Sequence, residues 1–388
     1  MSITFDLQAT DGTARAGTLR TPHGAVLTPA FIPLATQGSV KTVTPQELRD
    51  LGVTMILGNT YHLCLRPGVD LVLEMGGLSA FMGWYGPVLT DSGGFQAYSL
   101  ARRVRVTGQG LQFQSHINGS SHLFTPENVT AYQEDLDADI IMALDQCLAY
   151  TQDKGAVREA MERTHQWAER CRQAHHSENQ ALFGIVQGGI FTDLREESAA
   201  FITSLELPGY AIGGLAVGEP KATMYSLVTH TAALLPCDRP RYLMGVGSPE
   251  DLVECVARGV DMFDCALPTR VARNGALFNR SGRVNIDAAR FRAESGPVEE
   301  GCDCLTCQRF SAGYLHHLFR ARELLGLRLA TIHNLRFIVR LMEEMRRAIM
   351  AGTFHACSQA FLQGYQPADE EERLDQREKW LASRETRG

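Results

Sequence analysis

The chain has 388 residues, 44% hydrophobic and 21% charged, a balance ordinary for a globular protein with a sizeable core. No run approaches the ~20 apolar residues of a membrane span, and residues 1–10 lack a signal peptide's basic start and apolar centre, so a cytoplasmic protein is expected and membrane and secreted classes are set aside. The formal net charge of −7 argues against general affinity for nucleic acid.

Residues 1–30 alternate around the turn formers Asp11-Gly12 and Pro22-His23-Gly24, which predicts a β-segment. Eight short apolar runs follow at 31–34, 54–57, 87–90, 139–144, 182–186, 210–212, 242–246 and 262–266. Each is continuous, as a strand buried on both faces requires, and most gaps have helical period, for example 157–175 and 249–259. Strand then helix, eight times over, predicts an α/β fold, a (β/α)8 barrel spanning 31–269. Residues 99–124 break that rhythm with hairpin patterns around Asn118-Gly119, a wall or lid over the exit of the third strand. Residues 270–334, broken by Asn274-Gly275, Ser281-Gly282 and Gly296-Pro297, are assigned to an inserted metal-binding subdomain near the C-terminal end of the barrel. Residues 335–350 have strong helical period and are expected to close the eighth unit, within a helical region 335–366. Residues 367–388 are polar and charge-dense, a solvated helix or a frayed tail.

Charge is unevenly spread along this plan. Residues 262–347 hold 14 Arg, no Lys and nine acidic residues, a local +5 that leaves −12 elsewhere. Guanidinium forks suit phosphate oxygens, so this third can hold RNA or DNA while the remaining surface stays acidic. Helix-surface ion pairing is the plainer reading for Arg320, Arg322, Arg336 and Arg340.

Polar or glycine residues stand at the ends of the apolar runs: Asn59, Asp91, Asp145, Gln187, Gly214 and Asp264. In a barrel all of these converge on one rim. For any single Asp, capping of the next helix is an equal alternative; three carboxylates and two amides together mark an active site. Cys302, Cys304 and Cys307 lie within one tight loop, which favours tetrahedral zinc. Spacing admits His316, His317, His333 or Cys357 as fourth ligand. A closed site of three thiolates and an imidazole has no open position for water, so the metal is expected to be structural.

The segments Asp91-Ser92-Gly93-Gly94-Phe95-Gln96, Ile185-Val186-Gln187-Gly188-Gly189, Gly213-Gly214-Leu215-Ala216-Val217-Gly218-Glu219 and 264–278, with Asp264 followed by Thr269, Arg270 and Arg273, closely resemble those of the bacterial tRNA-guanine transglycosylases. The resemblance runs from Thr36-Gln37-Gly38 through Gly58-Asn59-Thr60-Tyr61-His62-Leu63 to the cysteines. It implies a pentosyltransferase of the tRNA-guanosine(34) transglycosylase type. Such an enzyme replaces guanine at the anticodon wobble position of GUN-anticodon tRNAs (Asp, Asn, His and Tyr) with 7-aminomethyl-7-deazaguanine, a step of queuosine biosynthesis. It also implies one structural zinc per subunit, with His333 as fourth ligand, no nucleotide cofactor and a homodimer. Phe310, Tyr314 and His317 make an interface conceivable, and the same aromatics also suit packing within the subdomain.

The roles fall on matching residues. Asp264 resembles the nucleophile that forms a covalent ribosyl ester, Asp91 the general acid and base, and Asn59 the residue that orients the nucleophile. Asp145, Gln187, the Gly214 N–H and Ser92 correspond to the base site, with Cys147 and Leu215 beside it and Glu219 behind Leu215. A hydrogen-bond inventory agrees: an ionised Asp145 accepts from guanine N1 and its 2-amino group, whereas Gln187 and Gly214 donate to O6. Phe95 and Met244 resemble the pair that sandwiches the ring, although for Met244 alone core packing is the stronger expectation. Bulk at Val217 favours the aminomethyl base over queuine. Thr269, Arg270 and Arg273 resemble anticodon-loop contacts, with Val271 standing where the bacterial pattern has Asn. Archaeal relatives carry a long RNA-binding extension, and the short tail here argues against that branch. Two rivals remain: a non-catalytic partner subunit, which the presence of both Asp91 and Asp264 opposes, and a metal-dependent barrel hydrolase, for which clustered His and carboxylate ligands are missing.

Overall fold

The computed structural model describes residues 3–100 and 102–367. Its central sheet runs in parallel through Ala30–Ile32, Met262–Asp264, Arg241–Leu243, Gly209–Ile212, Ala181–Val186, Ile140–Met142, Val88–Asp91, Ile56–Asn59 and Leu34–Ala35. The first and last members are two halves of one stretch parted by Pro33, which has no N–H to give to a ladder. Nine hydrogen-bonded segments therefore make eight staves, and the sheet closes on itself into the expected barrel. Each stave overlaps one of the eight apolar runs. The described residues end at 367, so the polar stretch 368–388 lies outside them.

The barrel interior is filled by one side-chain face of the staves, including Ile32, Leu57, Leu89, Met142, Phe183, Ile185, Tyr242 and Met262. Leu19 and Val26 join that cluster from the N-terminal antiparallel strands Ala14–Thr21 and Gly24–Thr28. These strands close the N-terminal end of the barrel, and a buried Arg15–Asp261 ion pair at 3.1 Å ties them to the entry of the eighth stave. The opposite rim stays open for function. The helices between staves are started by local chemistry: Thr44 and Glu47 form a capping box for Pro45–Asp50, Thr125 and Asn128 one for Pro126–Asp135, and Asp153 caps Lys154–Ala174. The strands Arg102–Val106, Leu111–Gln114 and Ser121–Phe124 form an antiparallel meander after the third stave.

The helix expected to begin at Leu335 starts earlier, running without a break over Leu324–Met350. Its residues are good helix formers with no proline, and its apolar face continues through both regions. The boundary expected between 334 and 335 thus falls inside one helix. This helix packs on the N-terminal strands, on the short helix Leu267–Arg273 and on the hairpin Ala276–Asn279/Gly282–Asn285. No described helix is long and apolar enough to cross a membrane.

Candidate active site and metal centre

The second and third staves pair in register so that Asn59 lies opposite Asp91. Asn59 caps the helix Thr60–Leu65, its Oδ1 accepting the His62 N–H at 3.0 Å, which leaves its Nδ2 to donate to Asp91 Oδ2 at 2.5 Å. Asp91 Oδ1 accepts from the N–H groups of Thr60 and Gly93, both at 3.2 Å. Burial pushes the Asp91 carboxyl up to about 7; the Thr60 N–H opposes the shift and the charge of Asp264 adds to it. Asn59 thus serves Asp91 and not Asp264. The physical reason is stave order: Asn59 is hydrogen-bonded next door to the third stave, whereas the eighth lies beyond the first.

Asp264 ends the eighth stave, and its Oδ1 accepts from the Tyr242 hydroxyl at 2.5 Å and from the Gly245 N–H at 3.0 Å. Oδ2 has no hydrogen-bond partner among the described residues. Burial raises this carboxyl as well, while the Tyr242 hydroxyl holds it down. Tyr242, fully buried on the seventh stave, was invisible in the sequence because a tyrosine in an apolar run reads as core. Both carboxylates are 9% exposed and close enough for the charge of one to shift the other.

After the fourth stave, which pairs with the third, Asp145 Oδ2 accepts from Gln187 Nε2 at 2.7 Å. Burial raises Asp145 to about 6, with the Gln187 bond opposing. Gln187 lies so close to the Gly213-Gly214 turn that a Cβ on Gly214 would sit 2.4 Å from Gln187 Oε1, and Gly214 also has φ +65°. Only glycine fits there. Burial, and then the nearby charge of Asp145, lift the Cys147 thiol to about 12, so it is neutral. Glu219, buried, gathers the N–H groups of Ala216, Val217 and Gly218 at 2.5, 3.1 and 3.0 Å. That grip holds Ala216 at φ +55°, a left-handed conformation costing roughly 1–2 kcal/mol. Because the Ala216 N–H faces Glu219, the Leu215 carbonyl of the same peptide points the opposite way. Ser92 is buried, its Oγ near the Gly94 N–H. Phe95 is 45% exposed and Met244 is partly buried against the barrel interior.

Leu267–Arg273 begins three residues past Asp264 and carries both arginines of the motif. Arg270 is exposed, with no acidic partner among the described residues, and Arg273 Nη1 donates to the Thr269 carbonyl at 2.7 Å. Thr269 itself is buried, and Val271 packs against the core. Elsewhere in the basic third, Arg336 pairs with the exposed Asp303 at 2.8 Å and Glu343 at 3.0 Å, as surface pairing predicts, whereas Arg340 lies 3.6 Å from a buried Glu299.

The three cysteines meet His333, with all four ligand atoms within 4.8 Å of one another. Their sulfurs lie 3.9, 3.7 and 3.3 Å from His333 Nδ1. A tetrahedral ion with metal–sulfur bonds of about 2.3 Å separates its ligands by roughly 3.5–4 Å. The donor set therefore fits a metal ion. His333 Nε2 lies 2.6 Å from the Phe278 carbonyl, which assigns the proton to Nε2 and turns Nδ1 to the thiols. Of the other candidate ligands, His316 is instead bonded to the Ile286 carbonyl and His317 stacks near Tyr314. Cys357 does not belong to the cluster.

A closed (β/α)8 barrel with paired carboxylates on its open rim and a Cys3His cluster beside it defines a barrel enzyme with a metal-binding attachment. The family description "Queuine tRNA-ribosyltransferase" matches residues 10–367. Proteins of that name from Herpetosiphon aurantiacus, Dehalococcoides mccartyi and Symbiobacterium thermophilum are 54%, 52% and 54% identical to this chain. The alignments cover 100%, 99% and 96% of this chain and 99%, 98% and 94% of those proteins. The chain belongs to the queuine tRNA-ribosyltransferase family, and is thereby an enzyme of the pentosyltransferase class (EC 2.4.2.29).

Proposed function

We propose that this enzyme exchanges guanine at the wobble position of GUN-anticodon tRNAs (Asp, Asn, His and Tyr) for 7-aminomethyl-7-deazaguanine in queuosine biosynthesis, by two displacements through an Asp264–ribosyl ester. The observation that carries this reading is the unequal dressing of two neighbouring buried carboxylates. Burial lifts Asp91 to about 7, so a large fraction of it carries a proton at neutral pH, while Asp264 keeps one oxygen without a partner among the described residues. In the first step Asp264 Oδ2 bonds to the ribose C1′, the glycosidic C–N bond breaks, its electron pair leaves with guanine, and guanine takes the proton of Asp91. In the second step the incoming base gives its N9 proton to Asp91, N9 bonds to C1′, and the ester releases Asp264. Two inversions retain stereochemistry, the logic of paired-carboxylate glycosyl transfer.

Asp145, ionised, accepts from guanine N1 and the 2-amino group; Gln187 gives O6 the amide hydrogen that Asp145 does not use, and the Gly214 N–H is the second donor. Ser92 borders this base site, and Phe95 and Met244 flank the ring. Leu215, whose carbonyl faces away from Glu219, supplies an acceptor for the cationic aminomethyl arm beside Cys147 and Val217. Thr269, Arg270 and Arg273 meet the anticodon loop, where an unpaired base is cheap to extrude. Cys302, Cys304, Cys307 and His333 hold one structural zinc, which staples the cysteine loop 302–307 to the long helix. We read the enzyme as a cytoplasmic homodimer. The test is incubation with unmodified tRNA and labelled guanine: label must enter the tRNA, and a protein–tRNA adduct must survive denaturation. Asp264→Asn must show neither. Label entry without any adduct would rule out the covalent route.

A further inference from the structure

The groups assigned to base recognition are held from behind by one helix. Thr192–Ser204 follows the fifth stave and presents Arg195 and Ser198, one turn apart, towards the barrel. Both are at 0% exposure. Ser198 Oγ accepts the Gln187 backbone N–H at 3.0 Å, and stands 3.0 Å from His165 Nε2. Arg195 bridges two loops, its Nε donating to the Gly189 carbonyl at 2.8 Å and its Nη2 to the Gly213 carbonyl at 3.1 Å. Its Nη1 is buried with no hydrogen-bond partner among the described residues.

A sealed guanidinium with an unpaired donor is a poor source of stability, since desolvation of the charge is only partly offset. What Arg195 does supply is direction. The Gly213 carbonyl and the Gly214 N–H belong to one planar trans peptide, in which C=O and N–H point opposite ways. Fixing the carbonyl on Arg195 therefore turns the Gly214 N–H towards the Cys147 sulfur, on the opposite side of that peptide. The restraint is needed because two successive glycines leave that peptide plane free to rotate, and neither carries a Cβ to lock it.

We infer that Arg195 is a positioning residue that aims the Gly214 N–H at the six-position oxygen of the purine, so that a guanidinium which never touches the base sets part of its specificity. This rests on the reading that Gly214 recognises guanine. The lysine ammonium, a point charge on a flexible stem, cannot reproduce the two-point fork. Arg195→Lys and Arg195→Met are therefore expected to behave alike, which separates geometry from charge.

The experiment is base exchange by the full-length enzyme with guanine and with 6-thioguanine, which keeps N1–H and the 2-amino group but offers sulfur, a weaker acceptor, in place of oxygen. In both variants the KM for guanine rises about tenfold, the worth of one recognition hydrogen bond. kcat changes by less than about threefold, the tRNA KM stays put, and the preference for guanine over 6-thioguanine shrinks by a factor similar to the KM rise. A merely structural role would weaken both bases equally, and that result overturns the inference, as does an unchanged preference in a folded variant. Should Arg195→Met fail to fold, the same comparison in Arg195→Lys decides. Absence of any guanine preference in the unaltered enzyme would instead sink the assignment of Gly214, before Arg195 is considered.

Discussion

The barrel rim and the cysteine cluster both bury several polar groups, but they treat them in opposite ways. At the cluster every donor atom turns inward on one point, His333 is fixed from behind by the Phe278 carbonyl, and nothing is left over for a substrate. At the rim the carboxylates are dispersed on separate staves and held by neutral donors: Asn59 and two N–H groups on Asp91, Tyr242 and Gly245 on Asp264, Gln187 on Asp145. No arginine or lysine ion-pairs with any of the three among the described residues. A cation would lower the pKa values and occupy the oxygens, whereas neutral dipoles orient the acids and let burial keep them reactive. The difference separates a polar cluster built to be closed from one built to react.

The largest expected effect breaks the rim. Asp91→Asn keeps the shape but removes the proton carrier, and exchange should fall on the order of 10²–10⁴-fold, read as initial rates of guanine incorporation. Next comes the cluster. Cys304→Ser, or a strong chelator, should cost on the order of several kcal/mol of local stability. Amide hydrogen exchange should then accelerate over residues 276–309 while the stave Ala181–Val186 stays protected; uniform acceleration would mean the cluster holds the entire barrel. The smallest and sharpest effects lie in the pH profile. Asp145 must be ionised, so exchange declines as pH falls below about 6, and Asp91 must be protonated for the first step, so it declines as pH rises above about 7. Asn59→Ala removes a bond to the ionised form of Asp91 and should move the alkaline limb upward. That shift is roughly half a unit to one unit; Tyr242→Phe likewise raises Asp264, which must be ionised to attack, and should add a second loss of activity on the acid side. If Asn59→Ala moved only the acid limb, its assignment to Asp91 would be wrong.

All eight staves were legible because a strand buried on both faces must be continuously apolar, and that pattern survives in a single sequence. Asp91, Asp145 and Asp264 were legible because a charge ending such a run is anomalous. What escaped was anything whose role depends on a neighbouring stave. Asn59 was visible at the end of its run, but the resemblance places it at the nucleophile, and only register shows it facing Asp91. Tyr242 looks like core because its ring is core; only the hydroxyl reaches Asp264. Arg195 sits in a polar-looking helix segment, where an arginine reads as solvated surface. The cysteine loop was legible from spacing, yet the choice of His333 over His316 and His317 depends on which helical face turns inward.

The uninterrupted helix Leu324–Met350 carries His333 on one turn and, immediately afterwards, the side chains that cover the barrel. Each added or deleted residue in a helix rotates everything beyond it by about 100°. A single insertion after Asn334 would therefore throw the imidazole and the barrel-facing stripe out of phase, so the two regions are phased like teeth on one shaft.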